Sequence, residues 1–409
     1  MKKVLALILV AVLCLGCFAA CGGSGDDTTT TTNATTDATT DGTTDGTTEN
    51  TNAAYDLTKV GEYTANNTEF VIGATGPLTG DAASYGISVQ QGAQLAIDEI
   101  NAAGGLNGIK FKFDMKDDKA TAADASTGYD ALYEAGMQVS LGSVTSGSAE
   151  SFATRADEDG VFSLTPSASA DPVINASDYA FRVCFGDPDN GILSAVKLTE
   201  KYEKIGVIYD SSDPYSTGIY DAFKAKMKEL NATYLEQSFD AENNRDFSTQ
   251  IEALKDCDVI FLPIYYTEAG LIAKTCVAKG CDAFLFGCDG LDGVAAQIDS
   301  TVTNKISYIT PFDVNSKDAK VSAFVKAYEA KYNAKPDQFA ADGYDAVYAI
   351  FEAMKALGVE NVKVDPAELG KALASVFTAD TFAYGGVTGN MKWEASGACN
   401  KEPNVVEIN

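Results

Sequence analysis

Short apolar runs alternate with longer stretches of helical periodicity from Phe70 onward, and no other feature of the chain constrains its fold as tightly. Residues 70–74 read as a buried strand, and from Ser84 a helix follows in which Ala93, Ala96, Ile97 and Ile100 recur until Gly104 and Gly105 stop it. Runs at 109–115, 139–141 and 161–164 continue as strands, separated by helices through 122–131 and from about Ser146. This alternation predicts a parallel sheet covered by helices on both faces. After 181–184 the rhythm restarts, with apolar strands at 205–209, 259–263 and 284–287 and helices at 215–230 and 268–278. An α/β fold of two doubly wound, Rossmann-like lobes is expected, since about 340 residues exceed what one hydrophobic core accommodates. Helices at 321–332 and 339–357, another opened by Asp365 and Pro366, and a last strand at 404–408 could return to either lobe.

The N-terminal end has a different character. Lys2 and Lys3 precede an apolar run, 4–13, too short to span a bilayer, so residues 1–20 read as a secretory signal. Phe18, Ala19 and Ala20 lead into Cys21, Gly22 and Gly23, the pattern of a lipoprotein processing site at which Cys21 is acylated; Leu15, Gly16 and Cys17 form a competing site. Lipid replaces a transmembrane helix here, each buried methylene contributing about 0.8 kcal/mol of membrane affinity. Residues 21–67 are Thr, Asp, Gly and Asn with little that is apolar, and are expected to be a disordered tether.

A formal charge of -28 without a single histidine excludes a basic stripe for nucleic acid and a polybasic membrane patch. The acidity reads as surface solubility. Without histidine, His-based triads and histidine metal sites are excluded, and the chain is not expected to be an enzyme. Neither cofactor nor metal is expected, because Cys184, Cys257, Cys276, Cys281, Cys288 and Cys399 lack paired metal spacing, and the Cys14/Cys17 pair lies inside the signal. Cys257 and Cys281 each precede a strand at the same end of neighbouring strands, which makes them candidates for a disulfide.

In open parallel sheets, ligands sit where strands end and helix N-termini present free N–H groups. The first such loops are 76–80, followed by 83–86, then the hydroxyl-rich 142–148 and 165–169. Serine hydroxyls and N–H groups there suit a carboxylate, although each serine could equally cap its helix. The second lobe offers Asp213-Pro214-Tyr215, then 263–266 with Glu268, then 287–290; aromatics with a carboxylate suit an ammonium and an apolar side chain, or an ordinary interdomain contact and turn. Asp117 and Asp118 are adjacent on a strand and point apart, so they read as structural rather than as an acid/base pair.

In order and spacing, these motifs resemble the branched-chain amino-acid-binding family of periplasmic binding proteins, of type I fold, which serve ABC importers. The resemblance rests on 76–80, Tyr85-Gly86, 96–101, Gly104-Gly105, Asp117-Asp118, Thr165-Pro166, Phe181-Arg182, Tyr265 with 268–270, and 287–290, and it runs from Phe70 to the C-terminus. It implies that Ser146, Ser167 and Ser169 hold a ligand α-carboxylate, that Tyr265 and Asp289 hold its ammonium, and that Tyr85 and Tyr215 line the side-chain pocket. Aspartate at 289 is shorter than the glutamate of some relatives, and serine stands at 169 where threonine is common. Three crossings are implied, near 185–188, 309–313 and 395–402. They would divide the chain into one lobe of 68–186 with 312–396 and another of 187–311 with 397–409. The implied protein is a monomer outside the cytoplasmic membrane, held by lipid, that captures a small amino acid for a permease. A ligand-sensing receptor, or a binder of an amide or urea, remains the alternative.

Overall fold

The computed structural model describes residues 54–401 and 403–408. The signal segment, Cys17, Cys21 and the tether up to residue 53 lie outside the described residues. Residues 54–67, expected to belong to the tether, dock on the body instead. Thr64 is fully buried and its hydroxyl donates to the Lys363 carbonyl at 2.8 Å, while Tyr63 meets Tyr133 edge-on at 5.3 Å. Polar contacts do most of the anchoring, the Gly61 N–H donating to the Lys363 carbonyl at 3.2 Å, the Asp365 N–H to the Lys59 carbonyl at 2.9 Å and the Asn67 amide to the Gly136 carbonyl at 2.9 Å, while Val60 and Tyr63 stay about half exposed.

Strand β1 (Phe70–Gly76) is buried along its whole length, as a central parallel strand must be, and α1 (Ala83–Ala102) follows it. The pattern continues through β2 (Phe111–Asp117), α2 (Ala122–Glu134), β3 (Val139–Ser140), α3 (Ser146–Asp159), β4 (Ser163–Thr165), α4 (Asp171–Asn175) and β5 (Ala180–Arg182). These strands form one parallel sheet in the order β2-β1-β3-β4-β5. A second series comprises α5 (Asp187–Thr199), β6 (Ile205–Asp210), α6 (Pro214–Glu229), β7 (Leu235–Phe239), α7 (Ser248–Leu254), β8 (Val259–Leu262), α8 (Tyr266–Lys279), β9 (Phe284–Gly287) and β10 (Ile306–Thr310). Helices α9 (Ala319–Tyr332), α10 (Gln338–Ala356) and α11 (Pro366–Phe377) come next, then a small antiparallel sheet of β11 (Tyr384–Gly385), β12 (Asn390–Trp393) and β13 (Cys399–Asn400), and finally β14 (Asn404–Glu407). The second large sheet has the order β14-β10-β9-β8-β6-β7, with β14 antiparallel at its edge.

Helix α10 returns to the first sheet's helical layer and lies along α1. The approach is so close that a Cβ on Gly92 would stand 1.8 Å from the Ala340 carbonyl oxygen, which is why α1 carries glycine there. The chain therefore passes between the bodies built on the two sheets, here called the first and second lobe, after β5, after β10 and after β13. At the last passage Lys401 and Asp342 form an ion pair 3.0 Å long with both side chains buried.

All six cysteines among the described residues are buried free thiols, so the Cys257–Cys281 bridge is not formed. Cys281 is placed by the end of α8: Gly280 turns left-handed at φ 65°, and the Cys281 N–H returns to the Cys276 carbonyl at 2.9 Å, closing a Schellman turn. Among the described residues, no helix is long and apolar enough to cross a membrane.

Candidate ligand-binding cleft

A small cavity of ≈ 10 Å³ lies where the carboxyl ends of the two sheets face each other. Six first-lobe residues line it, Tyr85, Val144, Thr145, Ser146, Ser167 and Phe339, and the second lobe supplies Tyr215, Tyr265, Asp289 and Gly290. Of the seven residues singled out from sequence, six meet here. Ser169 is fully buried but is not among the lining residues.

The first-lobe wall is made of hydroxyls and a helix start. Thr145 occupies the N-cap of α3 in extended conformation without capping it, and its hydroxyl is buried with no hydrogen-bond partner. The first N–H groups of α3 likewise lack partners within the helix, leaving partial positive charge at this end. Ser146 Oγ accepts from the Ala170 N–H at 3.3 Å and Ser167 Oγ donates to the Val144 carbonyl at 2.8 Å, so each serine ties the β3 loop to the β4 loop. Asp117 holds the neighbouring β1 loop, accepting from Leu78 N–H at 2.8 Å and from the Thr79 hydroxyl at 2.6 Å. Asp118 accepts from the Ser143 hydroxyl at 2.5 Å. The two aspartates brace loops and are not among the residues that line the cavity.

The second-lobe wall is acidic. Asp289 is 4 % exposed, and its Oδ1 accepts from the Tyr215 hydroxyl at 3.0 Å and the Asn190 amide at 3.3 Å. Burial pushes its carboxyl up to about 7, opposed by the Tyr215 hydrogen bond and reinforced by the charge of Asp342. Asp213 caps α6 through the Ser216 N–H at 3.3 Å, and desolvation with Asp210 nearby raises it too. Asp187, 1 % exposed at the start of α5, is raised well above the carboxylate range by desolvation, with the Ser169 hydroxyl and Arg182 acting against it. Neither of its oxygens makes a hydrogen bond of ordinary geometry. Acceptors thus predominate on this wall, and no cationic side chain lines the cavity.

Between the walls stands an aromatic box. Tyr215 and Tyr265 stack at 5.0 Å and 14°, Tyr85 meets Tyr265 edge-on at 5.6 Å, and Phe339 lies 4.2 Å from Tyr85. Gly86 makes this possible, because a Cβ there would lie 2.0 Å from the Pro77 carbonyl oxygen and force the start of α1 away. Sequence reasoning missed Thr145, Phe339, Asp187 and Asn190. Thr145 stood inside the hydroxyl-rich loop already noted, and Asp187 opens a helix with Pro188, so both carried a local signal; Phe339 reaches the cleft only through the packing of α10 on α1.

An amphipathic solute with an anionic end, an apolar body and a cationic end would find each part matched in this cleft. The periplasmic binding protein family model matches residues 69–397. The chain is 28 % identical over 320 residues to Leu/Ile/Val-binding protein homolog 3 of Brucella melitensis, an alignment covering 77 % of this chain and 85 % of the relative. It is 30 % identical to the branched-chain amino acid transporter substrate-binding protein LivJ of Streptococcus pneumoniae, solved with isoleucine; the alignment covers 83 % of this chain and all of LivJ, with a TM-score of 0.71. The leucine-binding protein LivK of Thermotoga maritima shares the fold at a TM-score of 0.74 and 22 % identity, covering 83 % of this chain and 95 % of LivK. Two lobes around a lined cleft and a family match over most of the chain agree: the chain belongs to the periplasmic binding protein family and is a solute-binding protein.

Proposed function

We propose that the solute is a free amino acid with a small apolar side chain, the branched-chain amino acids foremost, and that the protein delivers it to the permease of an ABC importer. The observation that carries this reading is the polarity of the cleft: hydroxyls and a helix N-terminus on one wall, a buried carboxylate on the other. In this reading the ligand carboxylate accepts from the hydroxyls of Ser146 and Thr145, whose protons are free, while Ser167, whose proton goes to the Val144 carbonyl, shapes the wall beside them; the ammonium binds Asp289 over the face of Tyr265, and the side chain lies against Tyr85 and Tyr215. Each charge-assisted bond contributes roughly 1.5–3 kcal/mol. Ser169 serves from behind the wall. The lobes, with boundaries near 186, 311 and 396, open and close about the three passages, and the ligand shifts that equilibrium because it meets both walls only when they face each other. Relatives named as Leu/Ile/Val-binding proteins and the isoleucine complex of LivJ support the ligand class. Acylation at Cys21 would hold the protein on the outer face of the cytoplasmic membrane, beside its permease.

Calorimetric titration of the purified protein, freed of carried-over ligand by unfolding and refolding, against the twenty amino acids and simple amides tests this directly. Micromolar or tighter binding of leucine, isoleucine or valine is expected. Binding of amides or urea alone would replace the amino-acid reading.

A further inference from the structure

We propose that residues 81–85 form a latch that holds the two lobes together without the ligand, and that Asp81 and Arg245 thereby set affinity from outside the cavity. The first-lobe half is the loop entering α1. Asp81 pairs with the Arg245 guanidinium of the second lobe, and its carbonyl accepts from the Thr267 hydroxyl at 2.9 Å. Three residues on, the Ser84 N–H donates to the Tyr266 hydroxyl at 3.3 Å. The Tyr85 hydroxyl then reaches across to donate to the Gly290 carbonyl at 2.5 Å and accepts from the Tyr266 N–H at 3.2 Å. Five polar contacts between the lobes thus come from three residues within a five-residue stretch, and none of them involves a group that a ligand would supply.

The second-lobe half is built to receive them. Asn244 donates to Glu268 Oε1 on the first turn of α8 at 3.1 Å, which fixes the loop carrying Arg245 beside Tyr266 and Thr267. The Tyr85 hydroxyl gives its one proton to this clasp and so has none to donate to a ligand. Asp81 and Arg245 are each more than half exposed, and neither lines the cavity. Their pairing acts on the equilibrium between open and closed forms, and a ligand that binds the closed form gains apparent affinity in proportion to how much of it is already populated.

Because the pair is exposed, its share of the latch is modest, roughly two- to fivefold in the closed-to-open ratio. The test uses Asp81→Arg, Arg245→Asp and the double reversal. Small-angle X-ray scattering of the ligand-free proteins should show a larger radius of gyration for each single reversal and a return to the wild-type value for the double. L-isoleucine affinity should follow the same order, two- to fivefold or more weaker in the singles and recovered in the double. Identical scattering for wild type and single reversals, or a double that stays expanded, would overturn the latch. The affinity arm alone rests on the amino-acid reading: absence of L-isoleucine binding in every variant would overturn that reading, while the scattering would still decide the latch.

Discussion

The two walls of the cleft solve opposite problems with opposite materials. The first-lobe wall is made of neutral groups, hydroxyls and a helix start: Ser146 and Ser167 are bonded to backbone, while the Thr145 hydroxyl is buried without a partner. The second-lobe wall buries carboxyl groups, and these pay for their position in raised proton affinity. In the proposed mode of binding the ligand's two ends would not be held equivalently: the anionic end would meet neutral hydroxyls, whereas the cationic end would complete a wall whose carboxyl is raised by burial.

That asymmetry can be broken most sharply at Asp289. Asp289→Ala is expected to weaken amino-acid binding on the order of 100-fold, since it removes the only carboxylate lining the cavity; titration calorimetry reads it, and a loss of under threefold would mean the ammonium is held elsewhere. Next in size is the effect of pH. With the free carboxyl near 7 and an ammonium stabilising its ionised form, binding releases a proton, so affinity is full above pH 7 and is lost as pH falls. Dissociation constants about tenfold higher at pH 6 than at pH 8 are expected. The contribution of Asp289 to ligand-free stability has the reverse sign: a raised carboxyl stabilises the fold at low pH, and that contribution disappears as pH rises through about 7. A flat affinity profile between pH 6 and 8 would contradict the assignment.

The neutral wall should respond more gently. Ser146→Ala is expected to cost about tenfold in affinity with no change in its pH profile, measured by the same titration. Ser169→Ala, one loop away and outside the lining, should change affinity less than about threefold. Equal losses at the two serines would erase the distinction drawn between lining and support.

Much of this was legible in the sequence wherever apolar periodicity was strong. The buried runs that became β1, β8 and β9 announced both sheets and the hydroxyl-rich loops after β3 and β4 held Ser146 and Ser167, whereas Tyr85, Tyr215, Tyr265 and Asp289 were singled out through the family resemblance. Strand β7 escaped notice because it is an edge strand whose residues Leu235–Phe239 are mostly exposed and show no alternation. No apolar run marks the small sheet β11–β13, which gains its order from tertiary contacts such as the Trp393 indole donating to the Arg182 carbonyl at 2.8 Å. Phe339 and the latch partners Arg245 and Thr267 depend on how elements far apart in sequence meet, which spacing within one segment does not encode. Composition also misled at the tether, because 54–67 are anchored mostly by polar contacts to residues distant in sequence, which a polar average does not reveal.

In the proposed mode of binding one ligand satisfies both walls at once. The most direct measurement of this is a titration of the wild-type protein with L-isoleucine beside two analogues, one lacking the ammonium and one lacking the carboxylate. Each analogue is predicted to bind at least about 100-fold more weakly than the parent, because each leaves a buried polar wall without its partner. An analogue that retains the affinity of L-isoleucine would show that the wall it cannot reach takes no part in binding.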